Sequence, residues 1–459
     1  MHVLRTKTLN SETSRNVLRI TAITACMAAG FAMTTPQASA QSQTTSVALD
    51  TAPGKLVIPS TSVIRVEDKG VRAHTNIRMI VHEGSKPMEA PPYSGYGYET
   101  PASLACIYRL VQPVRSCNPN DTTNTAKGGS ETIAIVDAYH DPSAASDLQY
   151  FSSQFGLPYV ANKFKVAYSG GSQPTVDPTG GWELEESLDI EYAHAMAPHA
   201  TVYLVETPSN SFNDLFTGVI AATNLVRCGN MNGCPATATG KGEVSMSWGG
   251  AEFPQEVEFD QYLTGTNVVF VASSGDTSGV SYPSASPNVV SVGGTTTARS
   301  LQNGNLIQEI AWSDAGGGAS NYEPRPSYQA SIAAYAGPSR ATPDVSADAN
   351  PNTGVWVYDS NPYEGENNPS NWWTVGGTSL AAPTITGILN AAATASGKFA
   401  TSTSAELTQV YGDTATPETY SSSFWDITYG ACNYYSGTFT RGGYDFCTGV
   451  GSPKGVWGK

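Results

Sequence analysis

The chain has 459 residues, 40% of them hydrophobic, which is ample for a large buried core. Its 39 acidic residues against 24 basic ones give a net charge of −15, which excludes nucleic acid and anionic membrane surfaces as natural partners. The same balance suits acidic surroundings, where carboxylates lose charge and self-repulsion falls.

At the N-terminus Arg5, Lys7, Arg15 and Arg19 precede an apolar stretch from Ile20 to Met33, and Ala38-Ser39-Ala40 offers small residues for cleavage. The pattern predicts a signal peptide over 1–40, a mature chain from Gln41 and secretion to the extracellular space or periplasm. The stretch is too short and too rich in Thr and Ala to span a membrane, and no other apolar run approaches its length, so no membrane insertion is expected. Ile23-Thr24-Ala25-Cys26 also resembles a bacterial lipobox, the alternative in which Cys26 would carry lipid. Residues 41–96 read as a short pro-segment or N-terminal extension and linker. Strand-like runs occur at Leu56-Val57-Ile58 and from Ile77 to Val81, and a Pro/Tyr/Gly-rich close runs from Pro91 to Tyr98.

From residue 97 to 459 the pattern is that of one large α/β domain. Strand runs at Thr132–Tyr139, Thr201–Glu206, Glu243–Trp248, Val268–Ser273 and Val289–Gly293 alternate with helical patterns at Asp147–Phe155, Trp182–Met196, Phe212–Val226 and Gln255–Leu263. Strand then helix, repeated, predicts a mostly parallel central sheet with helices on both faces and a site at the C-terminal strand ends. With the leader removed, six cysteines remain in three local couples: Cys106 with Cys117, Cys228 with Cys234, and Cys432 with Cys447. An even number in an exported chain reads as disulfides, with fifteen pairings open. No histidine accompanies them at metal-ligand spacing.

Three segments carry chemistry. In the helix Trp182–Met196, Glu185 and Asp189 stand four residues apart on one face, where two carboxyls repel and one keeps its proton into mildly acidic solution. Glu183 and Glu186 read as a solvated acidic face, and His194, off the face of Asp189, as a packed helix residue. The strand Val268–Ser273 runs into Ser274-Gly275-Asp276, where a protonated aspartate would donate to an oxyanion; the plain alternative is an Asx turn. Gly376-Gly377-Thr378-Ser379 delivers one serine onto the first turn of an apolar helix, as a nucleophile or as a simple cap. Asp137 ends the first strand of the domain, and Trp248 follows Ser245-Met246-Ser247.

In that order these segments resemble the sedolisin family, the serine-carboxyl peptidases with a subtilisin-like fold, over about residues 97–459. The resemblance extends to Ile133–Asp137, Ser245–Glu252 and Thr448–Pro453. It implies Ser379 as nucleophile, Glu185 as general base and acid, Asp189 as its partner and Asp276 as oxyanion donor. Asp137 and Trp248 would stand behind Glu185 and orient it. Near the C-terminus Asp426-Ile427 and Gly443-Tyr444-Asp445 resemble the family's calcium site. The implied ligands for one structural Ca²⁺ are Asp426, Asp445 and the carbonyls of Ile427, Gly443 and Arg441, with Arg441 replacing the family's glycine. The family is usually made with a long folded propeptide, for which residues 41–96 leave too little chain.

The expectation is therefore a secreted, acid-active, monomeric endopeptidase acting on proteins or peptides through an acyl-enzyme. The alternatives are a tripeptidyl exopeptidase of the same family and a non-catalytic secreted binding protein on a peptidase scaffold. A third is a neutral protease using His140 or His194.

Overall fold

The computed structural model describes residues 54–82, 91–92, 97–112, 117–300, 303–364, 368–432 and 438–455. The predicted signal peptide, the segment around Cys26 and residues 93–96 of the predicted linker lie outside them. The described residues belong to one compact unit.

First come β1 (Lys55–Val57), β2 (His74–Thr75), β3 (Arg78–Val81) and the helix α1 (Pro101–Ile107). The α/β body then runs β4 (Thr132–Ala138), α2 (Ala144–Phe155), β5 (Phe164–Tyr168), α3 (Gly181–Met196), β6 (Thr201–Thr207) and α4 (Phe212–Cys228). It continues through β7 (Gly242–Met246), β8 (Trp248–Ala251), β9 (Val268–Ser273), β10 (Ser281–Tyr282), β11 (Val290–Arg299) and β12 (Leu306–Ala311). After β13 (Gly318–Pro324), α5 (Ala333–Ala336) and β14 (Ser339–Thr342) the chain returns through β15 (Val345–Asp348), β16 (Val355–Tyr358) and β17 (Trp372–Gly376). The helices α6 (Thr378–Ser396), α7 (Thr403–Asp413) and α8 (Pro417–Ser423) follow.

The central sheet has the order β12-β11-β9-β7-β4-β6-β5, with β15 against β11, and all its pairings are parallel except β11 with β12. This is the α/β architecture expected. Alternation along β4 explains how both faces are covered. Ala134 and Val136 enter one core cluster with Phe216 and Val219 of α4, while Ile133 and Ile135 enter another with Ile190 and Ala193 of α3. By the same alternation Asp137 falls on the α3 side. Each fully buried Val, Ile, Leu or Phe contributes about 1.5–3 kcal/mol to this framework.

Two expectations need correction. Glu183 and Glu186 do not form a solvated face, because α3 is enclosed all round and both are buried. The segment Gln255–Leu263 is not an α-helix but two 3₁₀ turns, Glu256–Glu258 and Asp260–Tyr262. A period of three aligns Phe259 and Tyr262, and both rings rest on Phe216, at 4.8 and 6.0 Å. The disulfides are Cys106–Cys117, Cys228–Cys234 and Cys432–Cys447, which closes the question of pairing.

The N-terminal segment is woven into this body. β3 lies between β1 and β17 in an antiparallel sheet completed by β16, and β2 pairs with β8. Ile77 and Met79 are fully buried in the main core.

Candidate active site

Two helices meet over the C-terminal ends of the central strands. α3 begins where Asp177 accepts the N–H groups of Gly181 (3.1 Å) and Trp182 (3.2 Å), a cap that ties down the helix carrying Glu185 and Asp189. α6 begins at Gly377, whose φ of +108° belongs to glycine, and a Cβ there would lie 2.0 Å from the Asn76 carbonyl oxygen and 2.7 Å from Asp276 Oδ2. The turn therefore leaves a space beside the helix N-terminus that a carbonyl oxygen already enters.

Pro383 explains a further contact. Lacking an N–H, it cannot bond the carbonyl four residues back, that of Ser379, and that oxygen receives Ser247 Oγ at 3.3 Å. Ser247 Oγ also lies 2.8 Å from Asp189 Oδ1, while Ser379 Oγ donates to the Ser247 carbonyl at 2.8 Å. Ser247 thus links the nucleophile helix to the acid pair. Nothing in its sequence context distinguished it from the neighbouring serines, and only the kink between β7 and β8 places it there.

Glu185, Asp189 and Asp137 are all fully buried. Burial pushes the Glu185 carboxyl well up, and the charges of Asp189 and Asp137 add to it, while the Ser379 hydroxyl pulls the other way. Asp189 is raised by burial against the Ser247 hydrogen bond, and Asp137 by burial, Asp189 and Glu206. Neither oxygen of Glu185 or Asp137 has a well-formed hydrogen-bond partner. Burial and mutual repulsion thus favour a proton shared among the three carboxyls.

On the other side of Ser379, Asp276 Oδ1 accepts both the N–H and the hydroxyl of Thr378, each at 2.8 Å. Oδ2 is buried without a partner, beside Gly377. Burial pushes this carboxyl up to about 6, held back by Arg78 and the Thr378 bonds. Below that pH, Oδ2 carries a proton and becomes a donor aimed into the space by the helix N-terminus.

Trp248 is fully buried against Phe212 and Phe216, and its ring N–H donates to the Val136 carbonyl at 2.7 Å. It fixes the end of the strand that carries Asp137 rather than hydrogen-bonding a carboxyl. His140 Nδ1 lies 2.7 Å from Glu206, and burial lowers His140 and raises Glu206 to about 8, pushing the pair towards a neutral hydrogen bond. Burial takes His194 down to about 4. Among the described residues no histidine hydrogen-bonds Ser379.

The cleft is occupied by the chain itself. Asn76 N–H donates to Ser379 Oγ at 3.1 Å, and the Asn76 carbonyl accepts from Ser379 N–H at 3.2 Å. Upstream, His74 and Thr75 pair with Gly249 and Trp248; downstream, Arg78, Met79 and Ile80 pair with Gly376, Val375 and Thr374. Neither Asn76 nor Arg78, which donates to the Asp276 carbonyl at 2.9 Å, carried a sequence signal, since the contact spans some three hundred residues for Asn76.

Near the C-terminus, Asp426 accepts Gly443 N–H and Tyr420 Oη, and Asp445 Oδ2 accepts Arg441 N–H at 3.2 Å, so both carboxylates converge on the turn 441–443. The Arg441 guanidinium lies 4.2 Å over the Tyr335 ring, which takes up its charge. Among the described residues no three His, Cys, Asp or Glu side chains gather at metal distance, so any ion here needs backbone carbonyls. Two carboxylates with backbone carbonyls are the kind of oxygen donor set that a hard cation takes.

Residues 193–432 match the subtilase family. Kumamolisin from Bacillus sp. (strain MN-32) is 31% identical over 72% of this chain and 59% of its own length, and tripeptidyl-peptidase 1 from Dictyostelium discoideum is 26% identical over 75% and 56%. Among solved structures, Pseudomonas sedolisin, a serine-carboxyl proteinase complexed with pseudo-iodotyrostatin, superposes with a TM-score of 0.61 at 22% identity, covering 78% of this chain and 96% of that one. The chain spans under three-fifths of the length of these curated relatives. The fold, the family match and these relatives agree: the chain belongs to the subtilase family, in its sedolisin-type, serine-carboxyl branch.

Proposed function

We propose that the chain is a secreted, acid-active serine-carboxyl endopeptidase. The observation that carries the reading is the placement of Ser379 between a carboxyl cluster that no Lys or Arg salt bridge reaches among the described residues and the unpartnered Oδ2 of Asp276. Ser379 Oγ adds to the peptide carbonyl as Glu185 takes its proton, with Asp189 holding the shared proton of the pair. Asp276, protonated, and the Ser379 N–H receive the oxyanion. Glu185 then protonates the leaving amine, and water hydrolyses the ester.

Cleft length favours endopeptidase over tripeptidyl action. Upstream of the Asn76 carbonyl the strand continues through Thr75, His74 and Ala73 to Arg72, and Ala73 still bonds the Asn210 carbonyl at 2.9 Å. A site for tripeptides would close after three residues. A structural Ca²⁺ held by Asp426, Asp445 and the carbonyls of Ile427, Arg441 and Gly443 belongs to the same proposal, as does a monomer working outside the cell. No helix among the described residues is long and apolar enough to cross a membrane.

The test is casein or peptide hydrolysis at pH 4 by the purified chain beside Ser379→Ala and Glu185→Gln. Loss in both variants supports the assignment. Near-normal turnover by folded Glu185→Gln contradicts it.

A further inference from the structure

We propose that Thr378 is a positioning residue for the oxyanion donor: its two hydrogen bonds occupy Oδ1 of Asp276 and confine the proton of that acid to Oδ2, the oxygen that faces the reacting carbonyl. The inference rests on the peptidase reading above and names a residue that acts on the reaction only through Asp276.

Donors and acceptors around Oδ1 decide where the proton sits. Thr378 is the first residue of α6, so its N–H has no acceptor within the helix. That N–H donates to Asp276 Oδ1 at 2.8 Å, and the Thr378 hydroxyl donates to the same oxygen at 2.8 Å. The hydroxyl has one proton, and Gly275 fixes where it points. Gly275 N–H donates to Thr378 Oγ1 at 3.1 Å, so that oxygen accepts on one side and donates on the other. Both lone pairs of Oδ1 are thus taken, and a proton on Asp276 has only Oδ2 to bind. Oδ2 is buried with no hydrogen-bond partner, and a Cβ on Gly377 would lie 2.7 Å from it, in the space that the Asn76 carbonyl oxygen enters. The next N–H of the helix, that of Ser379, reaches this carbonyl directly at 3.2 Å. The first two N–H groups of α6 therefore divide the work: one orients the acid, and the other binds the oxygen on which charge develops.

The turn that carries Asp276 is held independently of Thr378. Ser274 N–H donates to the Val292 carbonyl at 2.9 Å, Gly316 N–H to the Gly275 carbonyl at 2.8 Å, and Ser274 Oγ to the Gly316 carbonyl at 2.9 Å. Loss of the Thr378 hydroxyl should thus change the proton on Asp276 more than the position of its backbone. Among the charged groups around this carboxyl, Arg78 favours its ionised form and Asp314 opposes it, while Glu185, across Ser379, is itself pushed up by Asp276. The Thr378 bonds favour the ionised form as well. Without the hydroxyl, Asp276 keeps its proton to higher pH, but that proton can settle on either oxygen. The variant should be slower and yet hold its activity further towards neutrality.

The experiment measures pH profiles of kcat/KM on an added peptide for the wild type, Thr378→Val and Thr378→Ser, with folding checked by Tm. Thr378→Val removes the hydroxyl at nearly constant volume. It should lower kcat/KM about tenfold in acid, the worth of one strong hydrogen bond. It should also move the alkaline midpoint upward from about 6 by about one pH unit. Thr378→Ser, which keeps the hydroxyl, should restore both. A valine variant that is slower with its alkaline midpoint unmoved would overturn the inference, because lost packing alone slows the reaction without changing where Asp276 titrates. A serine variant that behaves like the valine one would overturn it as well. If the valine chain does not fold, Thr378→Ala removes the same hydroxyl with less bulk and is held to the same outcomes. A folded wild-type chain that hydrolyses no peptide at any pH would instead overturn the peptidase reading.

Discussion

Buried acids are handled in two ways in this molecule. Behind the central sheet, Asp344 lies fully buried between Arg340 Nη1 and Nη2 at 2.7 and 2.6 Å, and Glu99 is bound by Arg299 with one contact at 2.7 Å. In and behind the cleft, Glu185, Asp189, Asp137 and Glu186 are as deeply buried, yet among the described residues no Lys or Arg salt bridge reaches them. A buried carboxyl needs either a cation or a proton. The frame uses arginine, whose charge does not titrate in ordinary solution. The cleft uses protons, as do some acids of the frame such as Glu256, which burial raises to about 9, so pH acts on both while the arginine pairs are spared.

The largest effect that sharpens this contrast is on activity. Ser379→Ala and Glu185→Gln should each lower kcat by about 10⁴-fold or more, because nucleophile and base act as a unit. Glu185→Gln should cost no stability at neutral pH, since it removes a buried acid that has no cation. Arg340→Ala should do the reverse. It leaves Asp344 buried and unpaired, costing about 3–5 kcal/mol in denaturant unfolding without altering the chemistry of the chain that remains folded. If Arg340→Ala were neutral and Glu185→Gln strongly destabilising, the contrast would be broken.

Next comes the pH dependence of stability. Burial raises Glu183 to about 7, Glu206 to about 8 and Glu256 to about 9 in the folded chain, against roughly 4.3 for an unfolded glutamate. Between those values the folded state holds protons that the unfolded state has released, so stability falls as pH rises. It should be greatest below about pH 4 and drop on the order of several kcal/mol by pH 8, read as Tm across a pH series. A Tm that rises from pH 4 to pH 8 would show that burial does not hold protons on these acids.

The smallest expected effect lies at the C-terminal loop, where Asp445 is buried but Asp426 is exposed and, among the described residues, neither has an arginine pair. Asp426→Ala or exhaustive chelation at neutral pH should lower Tm by a few degrees with little change in initial rate. The Cys432–Cys447 bridge would keep most of the loop in place. An unchanged Tm after chelation, with no calcium found in the protein, would remove the ion from the account.

Much of the fold was legible because each strand carries its own signal. Ala134 and Val136 against Ile133 and Ile135 announce a strand covered on both faces, and the i, i+4 spacing of Glu185 and Asp189 announces a shared helical face. Gly-Thr-Ser and Ser-Gly-Asp are local turns, readable where they stand. Glu183 and Glu186 were misread because charge pattern alone cannot show that α3 is enclosed on every side, which α2, α6 and β4 decide together. Ser247 was invisible for a similar reason, since the break between β7 and β8 brings it to Ser379 and Pro383, withholding an N–H, leaves the Ser379 carbonyl open to its hydroxyl. The N-terminal strand showed as a strand, but its place against β17 and β8 is a long-range pairing that no local pattern encodes.

The central claim is that protons on carboxyl groups run the cleft, and the pH profile of kcat/KM, measured on the purified chain with a peptide substrate, tests it most directly. Activity should peak at about pH 3–5 and be half lost near pH 6, where Asp276 gives up the proton on Oδ2. Asp276→Asn, which keeps a donor but cannot titrate, should be partly active with that alkaline fall removed. A profile that climbs through pH 6.5 to a maximum at or above pH 7 would contradict the account and return the base to a histidine.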